Sequence, residues 1–415
     1  MSAEQSILIL TSNTGGGHRS AAQALENSFL NVSPGNILVK MSQVLEESTL
    51  ASRKMADFYN FLLRDHQNLM QYYYWAIEQL KPNESSLIFR SAMGYGRQLF
   101  DRICPQALVS VHPMTQHFFA YILKKLNLLG KIPFVTVVTD PCSGFWRGWA
   151  CPDVDHYYVA SDEAKDQLIE FGIGSHKISI MGMPVHSRFF PVEDALKRQY
   201  RQSLGLDADT FTIFVNAGWA GGGNIPRIFQ ALSQQYAGVD NIQVIFLAGS
   251  NEKLLQEAHE MAHVAPFPVK VIGFSSEIER LMNASDVMVS KLGGLTTFEA
   301  LACGLPIIGD AVTTPMPQEL QTANFVERKG TGLLIRKPDE IATVIHQLKN
   351  EPDTIETMRR QAKLHARLGA SDRIAKDVVG FLDHSPHSSI VLPNIRHAGH
   401  PASFDFAHER AANFG

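Results

Sequence analysis

The 415-residue chain is 45% apolar and 19% charged, enough to bury sizeable cores and too apolar for a disordered, collagen-like or coiled-coil protein. Its 37 Lys/Arg against 41 Asp/Glu give a net charge of -4, which speaks against a nucleic-acid partner. The four cysteines form no CxxC pair, no apolar run reaches the ~18 residues of a membrane helix, and the start MSAEQSILIL lacks a basic leader, so a soluble, reduced, cytoplasmic protein is expected.

The chain opens on a β-rich run at residues 7–10, then a glycine cluster, then helical Ala/Leu spacing over 20–30, which together form a β-loop-α unit. Buried-strand runs follow at 107–111 (ALVSV), 134–139 (FVTVVT), 156–160 (HYYVA) and 177–181 (KISIM). Residues 182–206 then carry two prolines and a charged helical stretch, which marks a domain boundary. Beyond it come further strand runs at 211–216, 243–248, 269–272, 287–290 and 306–308. Most are continuous apolar runs separated by helices, so the expected class is α/β with parallel sheets buried on both faces. The domains are placed at 1–190 and 191–368, with a helix at 369–383. The segment 384–415 is polar, Pro/His-rich and aperiodic; it holds five of the 16 histidines at no metal-ligand spacing and reads as a disordered tail.

Three glycine clusters each join a strand to a helix: TSNTGGGHRSAAQAL, NAGWAGGGNIPRIFQAL and SKLGGLTTFEALACGLP. Glycine lets backbone N–H groups approach an anion, and the following helix N-terminus adds about half a positive charge. No Lys-Ser/Thr follows the glycines, so this is not an ATPase P-loop. Three such turns in two α/β halves fit a diphosphate lying between the domains at the carboxyl ends of the strands. His18, just after the first cluster, is either a general base facing the cleft or a helix-capping histidine. Glu299 is either a solvated helix residue or a carboxylate for ribose hydroxyls. Gln318 and Glu319, in TTPMPQELQTANF, either bind sugar hydroxyls or open a helix. The acidic triplets Asp153–Val154–Asp155 and Asp207–Ala208–Asp209 read as turn or cap chemistry, and no metal is expected.

On SNTGGGHRSAAQAL, VSVHPMTQHFF, the VTVVTD strand ending at Asp140, VIGFSSEIERLMNASDVMVSKLGGLTTFEALACGLPII and QELQTANF, the chain resembles the lipid-sugar transferases of glycosyltransferase family 28. These are the plant-type monogalactosyldiacylglycerol synthases and bacterial processive diacylglycerol glucosyltransferases. The resemblance implies a GT-B fold, in which two Rossmann-like domains face a cleft and the last helix crosses back to the first domain. It implies a donor, UDP-glucose or UDP-galactose, in the C-terminal domain, a lipid acceptor on the N-terminal domain, inversion at the anomeric carbon, and no cofactor. Gly273 and Phe274 would meet the uracil, and Gly293, Gly294, Leu295 and Thr296 the diphosphate. Glu299 would take the ribose, Gln318 and Glu319 the hexose, and Gly218 would line the donor side. His18 would be the base, with Gly16, Gly17, His112, Asp140, Trp146 and Trp149 on the acceptor side.

The sequence departs from the family pattern at Leu292, at Pro317, and in PCSGFWRGWACPDVD after Asp140, where a histidine is usual. A long-chain fatty alcohol or a glycolipid therefore stands beside diacylglycerol as acceptor. A polyprenyl-linked or soluble glycan, and a non-catalytic nucleotide-sugar sensor, are the alternatives. Residues 58–75 hold seven of the 38 aromatics, and residues 40–131 hold 11 Lys/Arg against 7 Asp/Glu. These aromatics are either the core of a helical insertion or a surface for an anionic membrane, to which the enzyme would bind peripherally.

Overall fold

A computed structural model of the chain describes residues 5–66, 69–218, 223–236, 241–312 and 316–384. Residues 219–222 of the second glycine cluster and all of the C-terminal tail beyond 384 lie outside the described residues.

The N-terminal half runs β1 (Gln5–Thr11), α1 (Gly16–Val32), β2 (Ile37–Gln43), α2 (Val44–Ser48), α3 (Leu50–Asp65), α4 (Met70–Leu80), α5 (Ser86–Ile103), β3 (Ala107–Ser110), α6 (Pro113–Lys125), β4 (Phe134–Val137), β5 (His156–Val159), α7 (Asp162–Glu170) and β6 (Ile178–Ile180). The second half begins with α8 (Asp194–Ser203), β7 (Phe211–Asn216), α9 (Ile225–Gln235), β8 (Ile242–Leu247), α10 (Glu252–Val264), β9 (Val269–Ile272), α11 (Ile278–Asn283) and β10 (Val287–Ser290). It continues through α12 (Gly294–Ala302), β11 (Ile307–Asp310), α13 (Pro317–Arg328), β12 (Gly332–Ile335), α14 (Glu340–Asn350), α15 (Pro352–Ala366) and α16 (Ala370–His384).

Each half builds one six-stranded sheet, in the orders β2-β1-β3-β4-β5-β6 and β12-β11-β10-β7-β8-β9. Every recorded pairing is parallel, for example Ile9↔Val109 and Val289↔Val215. The expected parallel α/β class is therefore what the chain adopts. The edge strands β2 and β12 are additions to the strands read from the sequence. The former alternates buried and open positions, as an edge strand does, and the latter is a short GLLI run. In both sheets the strand order reverses beside the first strand of the half, between β1 and β3 and between β7 and β10. Crevices open at such switch points, and they open at the carboxyl ends of the strands. The glycine loops after β1 and β10 flank them, as does Gly218 after β7.

Four apolar clusters fill the layers. One of them joins the halves: Cys142, Ala160 and Met183 pack with Leu292, Leu295, Phe298 and Phe325. Helix α16 returns to the N-terminal sheet, where Ile374, Ala375, Val378 and Leu382 pack among Ile7, Ala22, Leu25 and Phe29. Tyr158 at the end of β5 donates a hydrogen bond to Asp377 Oδ2 on the same helix (2.7 Å). Helix α8 is pinned through Lys197 and Arg201, which meet Asp286 at 2.6 and 2.7 Å. The acidic triplets do local work: Asp207 Oδ1 accepts from the Asp209 and Thr210 amides, and Asp155 Oδ2 accepts from the Phe134 amide.

Candidate functional site

The first turns of two helices meet between the domains. A Cβ at Gly17, in α1, would stand 3.7 Å from Leu295 Cβ, in α12. A Cβ at Gly294 would stand 2.5 Å from Pro141 Cδ and 3.2 Å from the Thr139 carbonyl oxygen. Two sets of free N–H groups and two positive helix ends therefore converge on one place. The closeness depends on glycine. Gly15, at φ 70°, turns the chain out of β1 into α1, a conformation a side chain disfavours.

His18 sits in that first turn, half-buried. Its Nδ1 lies 2.9 Å from the Val111 carbonyl oxygen and 2.8 Å from Thr139 Oγ1. A carbonyl can only accept, so Nδ1 carries the proton and shares it between these two oxygens. Nε2 is left with its lone pair and has no protein partner among the described residues. Burial pushes the imidazole down to about 4, against a weaker upward pull from the Val111 carbonyl. At neutral pH His18 is an uncharged proton acceptor.

The neighbouring residues expected on the acceptor side support this loop more than they line open space. His112 Nδ1 accepts the Met114 amide (3.2 Å), so its Nε2 donates to Thr14 Oγ1 (2.8 Å) in the glycine loop. Trp149 is 0% exposed and cannot offer a face to any ligand. It donates its indole N–H to Asp140 Oδ2 (2.7 Å), with its ring centroid 6.0 Å from that of His18. Trp146 is buried against Gly148. Asp140 remains half-open.

The Asp140 carboxyl is pushed up to about 6 by burial, with the Trp149 indole pulling it back. Between about pH 4 and 6 the native state then binds more protons than the unfolded chain, so this group lowers stability as pH rises through that window. Asp140→Asn keeps an acceptor for Trp149 and removes the charge. Calorimetry should give the variant a higher Tm than the parent at about pH 7.5, with the gap closing by about pH 4. Equal Tm values throughout would mean that the carboxylate is solvated.

Across the cleft, Gly293 and Gly294 open α12, followed by Leu295 and Thr296. Glu299, one turn on, is pushed up to about 8 by burial; the Arg188 guanidinium pulls it down and Glu279 pushes it further up. Near neutral pH its carboxyl is largely protonated and can both donate and accept. Gly273 follows β9, and Phe274 beside it is 72% exposed, an open aromatic face on the rim. Gly218 follows β7 at φ 79°, its amide donating to Asn216 Oδ1 (2.8 Å).

Gln318 and Glu319 occupy the first turn of α13. Gln318 Nε2 donates to Tyr74 Oη (2.8 Å), and Glu319 Oε2 accepts the Met316 amide (3.4 Å). Burial holds the Glu319 carboxyl above the usual range, and Lys291 draws it down. Lys291, Thr139, Arg188 and Tyr74 also stand at the site, although the sequence gives none of them a role there. The lysine was legible as the cation of the third glycine turn, whereas the others become neighbours only through the fold. Among the described residues no three His, Cys, Asp or Glu side chains stand close enough to hold a metal ion.

Residues 18–185 match the family described as monogalactosyldiacylglycerol (MGDG) synthase, and residues 198–365 match glycosyl transferases group 1. The chain is 30% identical over 382 residues to the chloroplastic monogalactosyldiacylglycerol synthase of Spinacia oleracea, covering 90% of this chain and 72% of that one. It is 27% identical over 388 residues to the processive diacylglycerol beta-glucosyltransferase of Bacillus pumilus, covering 91% and 96%. In fold it is similar to crystalline MurG of Acinetobacter baumannii, with a TM-score of 0.62 at 13% identity over 91% of this chain and 99% of that one. The architecture is GT-B.

Proposed function

The chain belongs to the monogalactosyldiacylglycerol synthase family and is a glycosyltransferase acting on lipid, and from that premise we propose that it moves glucose or galactose from a UDP-sugar to the hydroxyl of a membrane lipid, inverting the anomeric centre. The observation that carries this reading is the meeting of the α1 and α12 N-termini beside His18 Nε2, which has no protein partner among the described residues. Uracil stacks at Phe274 beside the Gly273 backbone, the ribose hydroxyls meet Glu299, and the diphosphate sits on the Gly293–Thr296 turn. Gln318 and Glu319 hold the hexose.

His18 Nε2 takes the proton from the acceptor hydroxyl as its oxygen attacks the anomeric carbon from the face opposite UDP. The C–O bond to UDP breaks with its electron pair on the departing phosphate. Helix-end amides of α12 and the nearby Lys291 stabilise that charge without a metal. A single displacement of an α-linked donor yields a β-glycoside.

The acceptor is insoluble, so the enzyme works at a cytoplasmic membrane surface. Exposed apolar side chains on α3 to α5 support this: Phe58 is 52% exposed, Trp75 66%, Leu80 77% and Leu87 75%. They lie in the stretch where Lys/Arg outnumber Asp/Glu by 11 to 7, which favours anionic lipid. Among the described residues no helix is long and apolar enough to cross the membrane. The acceptor loop after Asp140, with Trp149 buried in it, keeps a fatty alcohol or a glycolipid beside diacylglycerol as substrate.

Mass spectrometry of lipids from a heterologous host expressing the chain tests the proposal by naming sugar and acceptor together. A new β-hexosyl lipid is expected. Transfer to soluble or polyprenyl-linked glycans alone would remove the membrane-lipid assignment, and UDP binding without transfer to any acceptor would leave a sensor.

A further inference from the structure

Helices α3 and α4 touch both walls of the cleft. On the α3 side, Asn60 spends its whole amide on the loop that carries His18. The Gly15 amide donates to Asn60 Oδ1 (3.1 Å), and Asn60 Nδ2 donates to the Asn13 carbonyl (3.0 Å). These two bonds bracket the turn from which α1 starts, three residues before His18. The same turn is held from α2, where Glu46 Oε1 accepts from Ser12 Oγ (2.8 Å) and the Asn13 amide (2.9 Å).

The next residue back, Tyr59, serves the other wall. The Tyr74 hydroxyl on α4 accepts from Gln318 Nε2 at 2.8 Å, and the Tyr59 hydroxyl pairs with it. That chain of three side chains spans from the N-terminal domain to the first turn of α13. Tyr73 braces it, with its ring centroid 5.5 Å from that of Tyr59 and 6.0 Å from that of Tyr74. Neither tyrosine is on the exposed apolar face that Phe58 and Trp75 present; both are half-buried and point into the domain junction. Burial and the nearby Asp140 carboxylate hold both hydroxyls protonated far above neutral pH, so they remain hydrogen-bonding groups throughout the working range.

We propose that α3 and α4 form a positioning clamp in which Asn60 fixes the His18 loop and the Tyr74–Tyr59 pair fixes Gln318, so that one helical pair sets the base against the donor hexose. Asn60, Tyr59 and Tyr74 are positioning residues, not catalytic ones, because each acts through another side chain or loop. The geometry has a functional consequence as well as a structural one. The helices whose outer face meets lipid are the helices whose inner face aligns base and sugar, and any tilt of the pair moves both together. This inference rests on the proposed roles of His18 and Gln318.

The test separates the two arms by what each should change. Tyr74→Phe removes one oxygen and leaves the ring. Titration calorimetry should show UDP-sugar affinity weakened about fivefold while UDP affinity stays within about twofold, because the lost bond orients a hexose ligand and not the nucleotide. Gln318→Ala should do the same, and the double variant should be no worse than either single one, which a merely structural tyrosine would not produce. Asn60→Ala should lower kcat about tenfold or more with UDP and UDP-sugar affinities unchanged. Asn60→Asp, which keeps the acceptor for the Gly15 amide, should recover part of that loss at equal Tm.

Additive effects of Tyr74→Phe and Gln318→Ala, or equal weakening of UDP and UDP-sugar, would overturn the clamp on the donor side. An Asn60→Ala variant with unchanged kcat would overturn it on the acceptor side. Failure of the proposed function looks different: the parent protein itself would bind neither UDP nor UDP-sugar, or Gln318→Ala would leave UDP-sugar affinity untouched.

Discussion

His18→Ala should lower kcat by about 100-fold or more, the usual range for removal of a general base, while UDP and UDP-sugar affinities stay within about twofold. The split follows from where the ring is held. Its Nδ1 is consumed by the Val111 carbonyl and Thr139, both in the N-terminal domain, so the imidazole has no part in the donor turn across the cleft. Alanine also fits the first turn of α1 without strain, so a fall in Tm is not expected to account for the loss. A basicity of about 4 is low for a base working near neutral pH, which costs driving force for proton transfer. It also guarantees that the ring is always in its accepting form there, and an acceptor hydroxyl delivered into the same desolvated cleft gains from the short path. If His18→Ala turns over at the parent's rate, the base lies elsewhere. Asp140, held near 6 and half-open beside Trp149, is then the next group on that wall to test, since His112 spends both ring nitrogens on Met114 and Thr14.

The fold was largely legible because its signal is periodic and repeated. Runs such as FTIFVN and VMVS are mostly apolar with no alternation, which a strand covered on both faces needs. The edge strand β2 escaped because KMSQ is half polar; one side of it has no neighbour, so the sequence has no reason to be apolar there. At the site, the glycine turns were readable for a related reason. Glycine is demanded where a backbone must come close, and each turn stands between a strand and a helix. His112 and Trp149 show the limit of that reading. Both sit near the cleft, yet one caps α6 and holds Thr14, and the other is sealed beneath Asp140. A residue type in a loop says which chemistry is possible, not which way the side chain faces. Asn60 left no mark, and Tyr59 and Tyr74 counted only among the aromatics of residues 58–75, because Asn60 meets Gly15 across 45 residues and Tyr74 meets Gln318 across 244, through tertiary contact alone. The residues that the family resemblance proposes for the donor, Glu299, Glu319 and Gly294, have Arg188, Lys291 and Thr139 beside them in the fold.

Gly294→Ala should cost activity on a similar scale, by a purely steric route. At this position the backbone is helical, so alanine meets no conformational penalty, and it is the better helix former. What forbids it is the other domain. A Cβ would stand 2.5 Å from Pro141 Cδ and 3.2 Å from both Pro141 Cγ and the Thr139 carbonyl oxygen. None of these is the free end of a flexible chain: two belong to a locked ring and one to the backbone. The methyl can be accommodated only by moving the α12 turn away from the Thr139–Pro141 segment. That segment also holds His18 through Thr139 Oγ1, so the separation opens between base and donor phosphate. A misplacement of about 1 Å at the reacting atoms is worth about 100-fold in rate, and that is the expected loss in kcat, with Tm unchanged or raised. Pro141→Ala removes the ring atoms that block the methyl. Adding it to Gly294→Ala should therefore restore most of the lost rate, whereas two independent lesions would compound. Rates and calorimetric Tm values of the two single variants and the double variant decide the matter. A double variant slower than Gly294→Ala would show that the glycine is needed for the phosphate itself and not for bringing the two walls together.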